Sequence, residues 1–112
     1  MDENGIYGYW RIKEMEMWDP DFIDAEVPGY FHFDEDDGGE FQFGYVHGYL
    51  DCRYSMKNGK NYVEFSFDGN DEMDPTSGRG FAAIEGDVIV GRLFFHEGDD
   101  SEFKAIRKEA EK

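Results

Sequence analysis

Short turns rich in Gly, Asp and Asn divide this chain at close intervals, and this spacing limits its fold more than any other feature. Four such turns lie at residues 34–39, 57–60, 86–87 and 97–100. The second holds Asn58-Gly59, the strongest short signal for a β-hairpin. The chain also contains eleven Phe, seven Tyr and two Trp, residues that favour strands over helices. The pattern therefore predicts an all-β protein.

The turns predict seven to eight antiparallel strands in an up-and-down meander. A loop at 18–24, with a helical turn at Asp19-Pro20-Asp21, and a long loop at 69–79 interrupt the series. The alternation slips between Ile12 and Met15, which indicates a β-bulge. Because an open meander exposes two edges, we expect closure into a small barrel, one domain spanning residues 1–112. The predicted strands cover 8–17, 25–33, 40–54, 61–68, 80–85, 88–96 and 101–108.

The strand predicted at 40–54 carries the densest run of aromatic residues. Gly44 and Gly48 lie on its other face, where a long strand coils or an aromatic ring crosses it. The neighbouring aromatic residues either line a ligand cavity or fill a narrow barrel; they are Trp18, Tyr30, Phe31, Tyr45 and Tyr49. One face of this strand is predicted to hold Phe41, Phe43, Tyr45, His47 and Tyr49.

The charge is strongly and unevenly negative. The chain has 27 Asp and Glu against 11 Lys and Arg, a net charge of −16, and residues 14–52 contain twelve acids and no Lys or Arg. Such a surface repels nucleic acid and anionic lipid and attracts basic proteins, cationic ligands or divalent metals; the alternative is a solvated surface without a partner. We expect one acidic face, formed by Glu14, Glu16, Asp19, Asp21, Asp24, Glu26, Asp34, Glu35, Asp36 and Asp37.

Two acidic segments are candidate ligand or metal sites. Asp71, Glu72 and Asp74 offer oxygen ligands to a hard cation, although the spacing is not that of an EF-hand. His96, followed by Asp99 and Asp100, has the residue types of a metal site or an acid–base pair. The alternative in both segments is ordinary turn chemistry, with carboxylates bonding nearby backbone amides.

The remaining reactive residues do not form a recognisable catalytic motif. Cys52 is the one cysteine, so no intramolecular disulfide forms, and its acidic neighbours do not activate a thiol. His32 and His47 are too far apart in the expected register to pair directly. The chain lacks Gly-x-Ser-x-Gly, a P-loop and Cys-x-x-Cys. We therefore expect no catalytic residues and no cofactor.

The two ends of the chain resemble the calycin superfamily, the up-and-down barrels of lipocalins and fatty-acid-binding proteins. Gly8-Tyr9-Trp10 is similar to the Gly-x-Trp of that superfamily, and Arg107 stands near the end of the last strand. The resemblance implies that Trp10 closes the base of the barrel and that Arg107 packs over it, a structural role for both residues.

More broadly, the chain resembles a group of small, uncharacterised acidic bacterial proteins, which implies a shared fold without an established activity. The matching stretches are 14–19, 39–44, 71–74, 77–80 and 95–101.

Three functions are compatible with these features. The first is a non-enzymatic protein that binds a basic, nucleic-acid-binding partner through its carboxylates, as an inhibitor or nucleic-acid mimic. The alternative is a small-ligand-binding barrel, and the third is a metal-dependent enzyme. The N-terminus lacks the pattern of a signal peptide and no apolar run approaches about 20 residues, so we expect a cytoplasmic protein without membrane contact. The oligomeric state stays open.

Overall fold

Eight antiparallel strands close into a barrel, which confirms the predicted fold class. The structure is a computed structural model that describes residues 5–108. Each strand pairs with the next along the chain, and β8 returns to pair with β1. The elements are β1 (Gly8–Met15), α1 (Pro20–Ile23), β2 (Tyr30–Phe33), β3 (Gly38–Phe43), β4 (Val46–Lys57), β5 (Lys60–Asp71), β6 (Asp74–Glu85), β7 (Val88–Phe95) and β8 (Asp100–Arg107).

The up-and-down topology gives the barrel two distinct ends. The α1 end carries α1 and the turns that join β3 to β4, β5 to β6 and β7 to β8. The opposite end, here the Trp10 end, carries the segment before β1 and the turns that join β2 to β3, β4 to β5 and β6 to β7. Turns that are far apart in sequence therefore come close to one another only when they share an end.

Several local predictions are confirmed. Asp19 caps α1, because its carboxylate accepts a hydrogen bond of 3.0 Å from the Phe22 N–H, and Pro20 begins the helix. The pairing of β1 with β8 shifts between Ile12 and Glu14, which is the expected bulge. Asn58, at a positive φ of 53°, turns β4 into β5.

The predicted strand at 40–54 is wrong in one respect, because it is two strands. A two-residue turn at Gly44-Tyr45 separates β3 from β4, with Phe43 opposite Val46. Gly44 adopts a positive φ of 58° there, which suits the first central position of a tight hairpin. The turn reverses the alternation, so Phe41 and Phe43 point into the barrel. The residues predicted to share their face point outward; these are Tyr45, His47 and Tyr49.

Two other boundaries also differ from expectation. The predicted loop at 69–79 is a hairpin, in which β5 and β6 continue to a two-residue turn and pair Asp71 with Asp74. Glu72 takes a φ of 56° in that turn. The predicted strand at 25–33 forms only at 30–33, since Pro28 and Gly29 hold the preceding segment outside the sheet.

Phenylalanine rings fill the interior of the barrel. Phe31, Phe33, Phe41 and Phe43 are fully buried and stack on one another, with ring centroids 5.3 to 6.0 Å apart. Four inward rings lie over a glycine directly opposite on a neighbouring strand, where a Cβ atom would collide with the ring. These pairs are Phe41 with Gly48, Phe65 with Gly80, Phe67 with Gly78 and Phe103 with Gly91.

The Trp10 end is closed by the two residues that the resemblance indicated. The Arg107 guanidinium lies 4.1 Å from the centre of the Trp10 ring and donates hydrogen bonds to the carbonyls of Tyr7, at 2.6 Å, and Gly5. The Trp10 indole N–H donates to the Ile6 carbonyl at 2.8 Å. A planar guanidinium suits both the stacking and the forked hydrogen bonding.

Candidate acidic interaction surface

The acids between Glu14 and Asp37 do not form one continuous face, which corrects the sequence expectation. Residues 14–26 follow β1 to the α1 end, whereas Asp34, Glu35, Asp36 and Asp37 form the β2–β3 turn at the Trp10 end. The cause is β2 itself, a strand that carries the chain from one end of the barrel to the other. The acidic stretch of the sequence is therefore divided between two surfaces.

The α1 end collects acids from three separate parts of the chain. The segments 16–29, 71–74 and 96–100 meet there and contain five, three and three acids, with no Lys or Arg. Contacts connect them: the Glu72 N–H donates to the Tyr45 carbonyl at 2.9 Å, and the Tyr45 ring packs on Phe22 of the first segment. Trp18 packs on Phe95, the residue before the third segment. We call this group the acidic rim; it comprises Glu16, Asp19, Asp21, Asp24, Glu26, Asp71, Glu72, Asp74, Glu97, Asp99 and Asp100.

Part of the predicted acidic set stabilises the fold itself. Asp24 pairs with Arg11 at 2.6 Å and accepts the Gly29 N–H at 2.8 Å. Glu16 lies 3.3 Å from Arg92 and accepts the Glu102 N–H. Asp34 accepts the N–H groups of residues 36 and 38, at 2.9 and 3.1 Å, and thereby holds its turn. These carboxylates, like the Asp19 cap, are partly satisfied and less available to a partner.

Other acids of the rim project into solvent. Asp21, Glu26 and Glu72 are exposed, and within the described residues no ion pair or side-chain hydrogen bond involves them. Glu97 is 85% exposed and lies 4.0 Å from His96, which is itself exposed. Because α1, the β5–β6 turn and the β7–β8 turn hold these acids on one end, they present a field of one sign.

The candidate metal ligands lie in two different turns and do not converge. Across residues 5–108 there is no group of three or more His, Cys, Asp or Glu side chains placed to hold a metal ion. Asp71 and Asp74 face each other across the β5–β6 hairpin, while Asp100 pairs with Arg92. His96 and Asp99 belong to the β7–β8 turn, where the Phe95 N–H donates to the Asp99 carbonyl. The metal-dependent hypothesis thus has no assembled ligand set in this part of the chain.

The filled interior bears on the small-ligand hypothesis. Trp18 and Phe31 pack against other core side chains, so neither ring faces an internal cavity. Tyr30, Tyr45 and Tyr49 lie on the outer surface instead. A groove of about 340 Å³ beside Tyr30 opens on that outer surface, between Tyr9 and Pro28. The geometry therefore favours recognition by the exterior of the barrel.

Comparisons with protein-family models, curated protein sequences and solved structures give no significant match to this chain. Among residues 5–108, no helix has the length and apolar character needed to cross a membrane.

Proposed function

We propose that this protein is a non-enzymatic acidic protein that binds a basic protein partner through its acidic rim. One observation carries the proposal: the α1 end gathers eleven acids from three segments that contain no Lys or Arg. A concentrated field of one sign steers an oppositely charged partner and accelerates association. The same field repels DNA, RNA and anionic lipid, so a basic protein surface is the ligand class that fits.

The proposed partner is a basic protein with a groove that normally binds nucleic acid. The acidic rim would compete with nucleic acid for that groove. The support is electrostatic, because carboxylates held by a rigid barrel offer an array of anions of the kind that phosphate-binding surfaces recognise. The rim would then act as an inhibitor or nucleic-acid mimic. Competition tests this part of the proposal: duplex DNA added to the complex should displace the rim, and a partner retained at saturating DNA would contradict mimicry.

The main experiment is capture from a cell lysate with the immobilised protein at about 0.05 M and about 0.3 M NaCl. We expect enrichment of basic proteins at low salt and a large loss of them at the higher concentration, because screening weakens long-range attraction. Binding that ignores salt, or enrichment of no basic protein, would contradict the proposal.

A matched pair of charge variants locates the binding surface. The rim variant carries Asp21→Asn, Glu26→Gln, Glu72→Gln and Glu97→Gln, which remove four charges that the fold does not use. The control removes four charges at the Trp10 end, through Glu35→Gln, Asp36→Asn, Asp37→Asn and Asp87→Asn. We expect the rim variant to associate roughly tenfold more slowly and the control to change much less. Equal effects would show that net charge, and not the rim, determines binding.

A further inference from the structure

Several exposed apolar side chains lie on one side of the barrel, which extends from the Trp10 end to the acidic rim. Five large apolar side chains there are more than a third exposed, whereas scattered single ones are normal for a protein surface. They come from β1, from the loop before β2, from β4 and from two turns at the α1 end. They are Tyr9 (46% exposed), Val27 (38%), Tyr45 (41%), Tyr49 (58%) and Met73 (93%).

The strand register arranges further rings between them in two rows. The first row across β1 to β4 runs Tyr9, His32, Glu40, Tyr49, and the second runs Arg11, Tyr30, Gln42, His47. Tyr9 stacks on His32 with ring centres 4.1 Å apart, and Tyr49 lies 4.8 Å from His47. We call the outer surface formed by Tyr9, Tyr30, His32, His47 and Tyr49 the tyrosine face.

The polar groups of the tyrosine face gather around one carboxylate. Glu40 lies at its centre and bonds His47 Nε2 at 3.2 Å. Burial, reinforced by the nearby Glu40 carboxylate, raises the pKa of Tyr30 to about 12. The strands β2 and β3 carry no Lys or Arg, and Arg11 beside them is paired with Asp24. A cation approaching this face meets aromatic rings and the Glu40 carboxylate, while Lys108 lines the groove beside Tyr30.

A second groove of about 340 Å³ joins the tyrosine face to the acidic rim. Glu26 and Glu72 line it together with Tyr45, His47 and Met73. Two carboxylates beside an exposed ring and a flexible thioether make a site suited to a long cationic side chain, whose charged head bonds the acids while its stem contacts the apolar atoms.

We propose that the tyrosine face and this groove bind arginine side chains of the basic partner and hold the complex together once it has formed. The proposal rests on the function proposed above and assigns a different role to each surface. Guanidinium groups stack on tyrosine rings and bond carboxylates through a planar fork, which an ammonium group does not do. Tyrosine is also a frequent hot-spot residue. The acidic rim determines the association rate and the tyrosine face the dissociation rate, and Glu26 and Glu72, which line the groove, contribute to both.

Charge excludes the other occupants of this face. A second copy of the chain would bring a surface of net charge −16 against an acidic one. Nucleic acid and anionic lipid carry the same sign and are repelled. An arginine-bearing protein segment supplies both the opposite charge and the flat group that the stacked rings require.

The test uses two probes of equal charge, a ten-residue peptide of arginine and a ten-residue peptide of lysine. Association and dissociation rates are measured for the wild type, for Tyr9→Ala/Tyr49→Ala, for Tyr49→Ala alone and for Phe94→Ala. Phe94 is the control for an aromatic ring elsewhere on the outer surface, because it is a half-buried outward ring on β7, across the barrel from β3, with the Arg79 guanidinium 4.7 Å from its centre. Circular dichroism confirms folding, and the single variant at the 58% exposed Tyr49 keeps the test usable if the double variant unfolds.

We expect the arginine peptide to bind the wild type more tightly than the lysine peptide. The double variant should dissociate about tenfold faster from the arginine peptide, with its association rate within about twofold of the wild type. The preference for arginine should shrink in the same variant, and Phe94→Ala should change neither rate.

The outcomes separate the two proposals. If neither peptide binds, the proposed function fails, and this inference fails with it. If both peptides bind and the tyrosine variants dissociate at the wild-type rate, the rim alone binds cations; the proposed function then stands and the role of the tyrosine face is overturned. An equal effect of Phe94→Ala would overturn it as well.

Discussion

A single side chain, that of Arg107, connects the last strand to the segment before the first. Its guanidinium bonds two carbonyls and covers Trp10, whose indole N–H bonds a third carbonyl. The Arg107→Lys variant keeps the positive charge, but the lysine ammonium group cannot bond both carbonyls as the planar guanidinium does. We therefore expect the free energy of unfolding to fall by about 1–3 kcal/mol. Urea denaturation measures it. Arg53→Lys is the control, since Arg53 is 70% exposed and contacts Asp51; an equal loss in both variants would contradict the closing role.

Cys52 provides a second prediction at the residue scale, one that depends on pH. Its side chain is fully buried, and burial, with smaller effects from nearby carboxylates, raises the pKa of the thiol from 9.0 to about 11. Because the unfolded chain ionises first, the stabilisation is complete below pH 9 and is lost as the pH rises towards 11, by up to roughly 1.4 kcal/mol per pH unit.

The Cys52→Ala variant isolates this effect from the other groups that titrate in alkali. Urea denaturation at about pH 8 and about pH 10.5 should show a larger fall in the free energy of unfolding for the wild type than for the variant. Parallel falls would mean that the thiol does not contribute. The buried thiol should also react slowly with alkylating reagents at about pH 8 until the protein unfolds.

At the scale of the strands, the barrel is filled by rings that lie over opposing glycines. A Cβ on Gly48 would stand 2.5 Å from Cε2 of Phe41, which is closer than packed atoms tolerate. Gly48→Ala should lower the free energy of unfolding by about 1–3 kcal/mol. Gly38→Ala is the matched control, because its Cβ would meet its nearest neighbours at 3.5 Å. In the double variant Phe41→Leu/Gly48→Ala, the loss of unfolding free energy should be smaller than the sum of the two single losses, because leucine leaves space for the alanine Cβ. A fully additive loss would contradict the packing argument.

The turns between the strands differ in how clearly the sequence alone predicts them. The hairpin at Asn58-Gly59 and the cap at Asp19 follow from the local preferences of these residues, which the sequence alone shows. The turn at Glu72 does not, because glutamate has no preference for the positive φ of 56° that it takes there. Gly44 is the only local signal for the β3–β4 turn. A strand that continued through Gly44 would place Tyr45 and Tyr49 on the same face as Phe43, which is the opposite of the face they occupy.

The candidate surface depends on longer-range information. Glu26, Glu72 and Glu97 come together because their turns share one end of a closed barrel, which only the full strand order reveals. The tyrosine face has the same origin, since Tyr9 reaches His32 through the pairing of β1 with β2. Composition predicted the sign of the surface charge, and topology determined where that charge is concentrated.

At the scale of the whole molecule, a charge of −16 on 112 residues works against compactness. Like charges repel in the folded state, so added NaCl should raise the melting temperature by screening that repulsion. The repulsion is concentrated at the α1 end, where the exposed Asp21, Glu26 and Glu72 have no ion pair among the described residues. We therefore expect the binding acids of the rim to lower the stability of the folded protein, as functional sites commonly do.

The rim variant and its control test this cost directly. With Asp21→Asn, Glu26→Gln, Glu72→Gln and Glu97→Gln, the melting temperature at low salt should rise above that of the wild type, and its further gain on adding about 0.5 M NaCl should be smaller. The Trp10-end control removes the same number of charges from the β2–β3 and β6–β7 turns, at an end that also carries Lys57 and Lys60. The carboxylates there repel one another less, so the gain at low salt should be smaller. Equal gains in the two variants would show that the destabilisation follows net charge alone. A wild-type melting temperature that does not respond to NaCl would show that the acidic rim imposes no cost on folding.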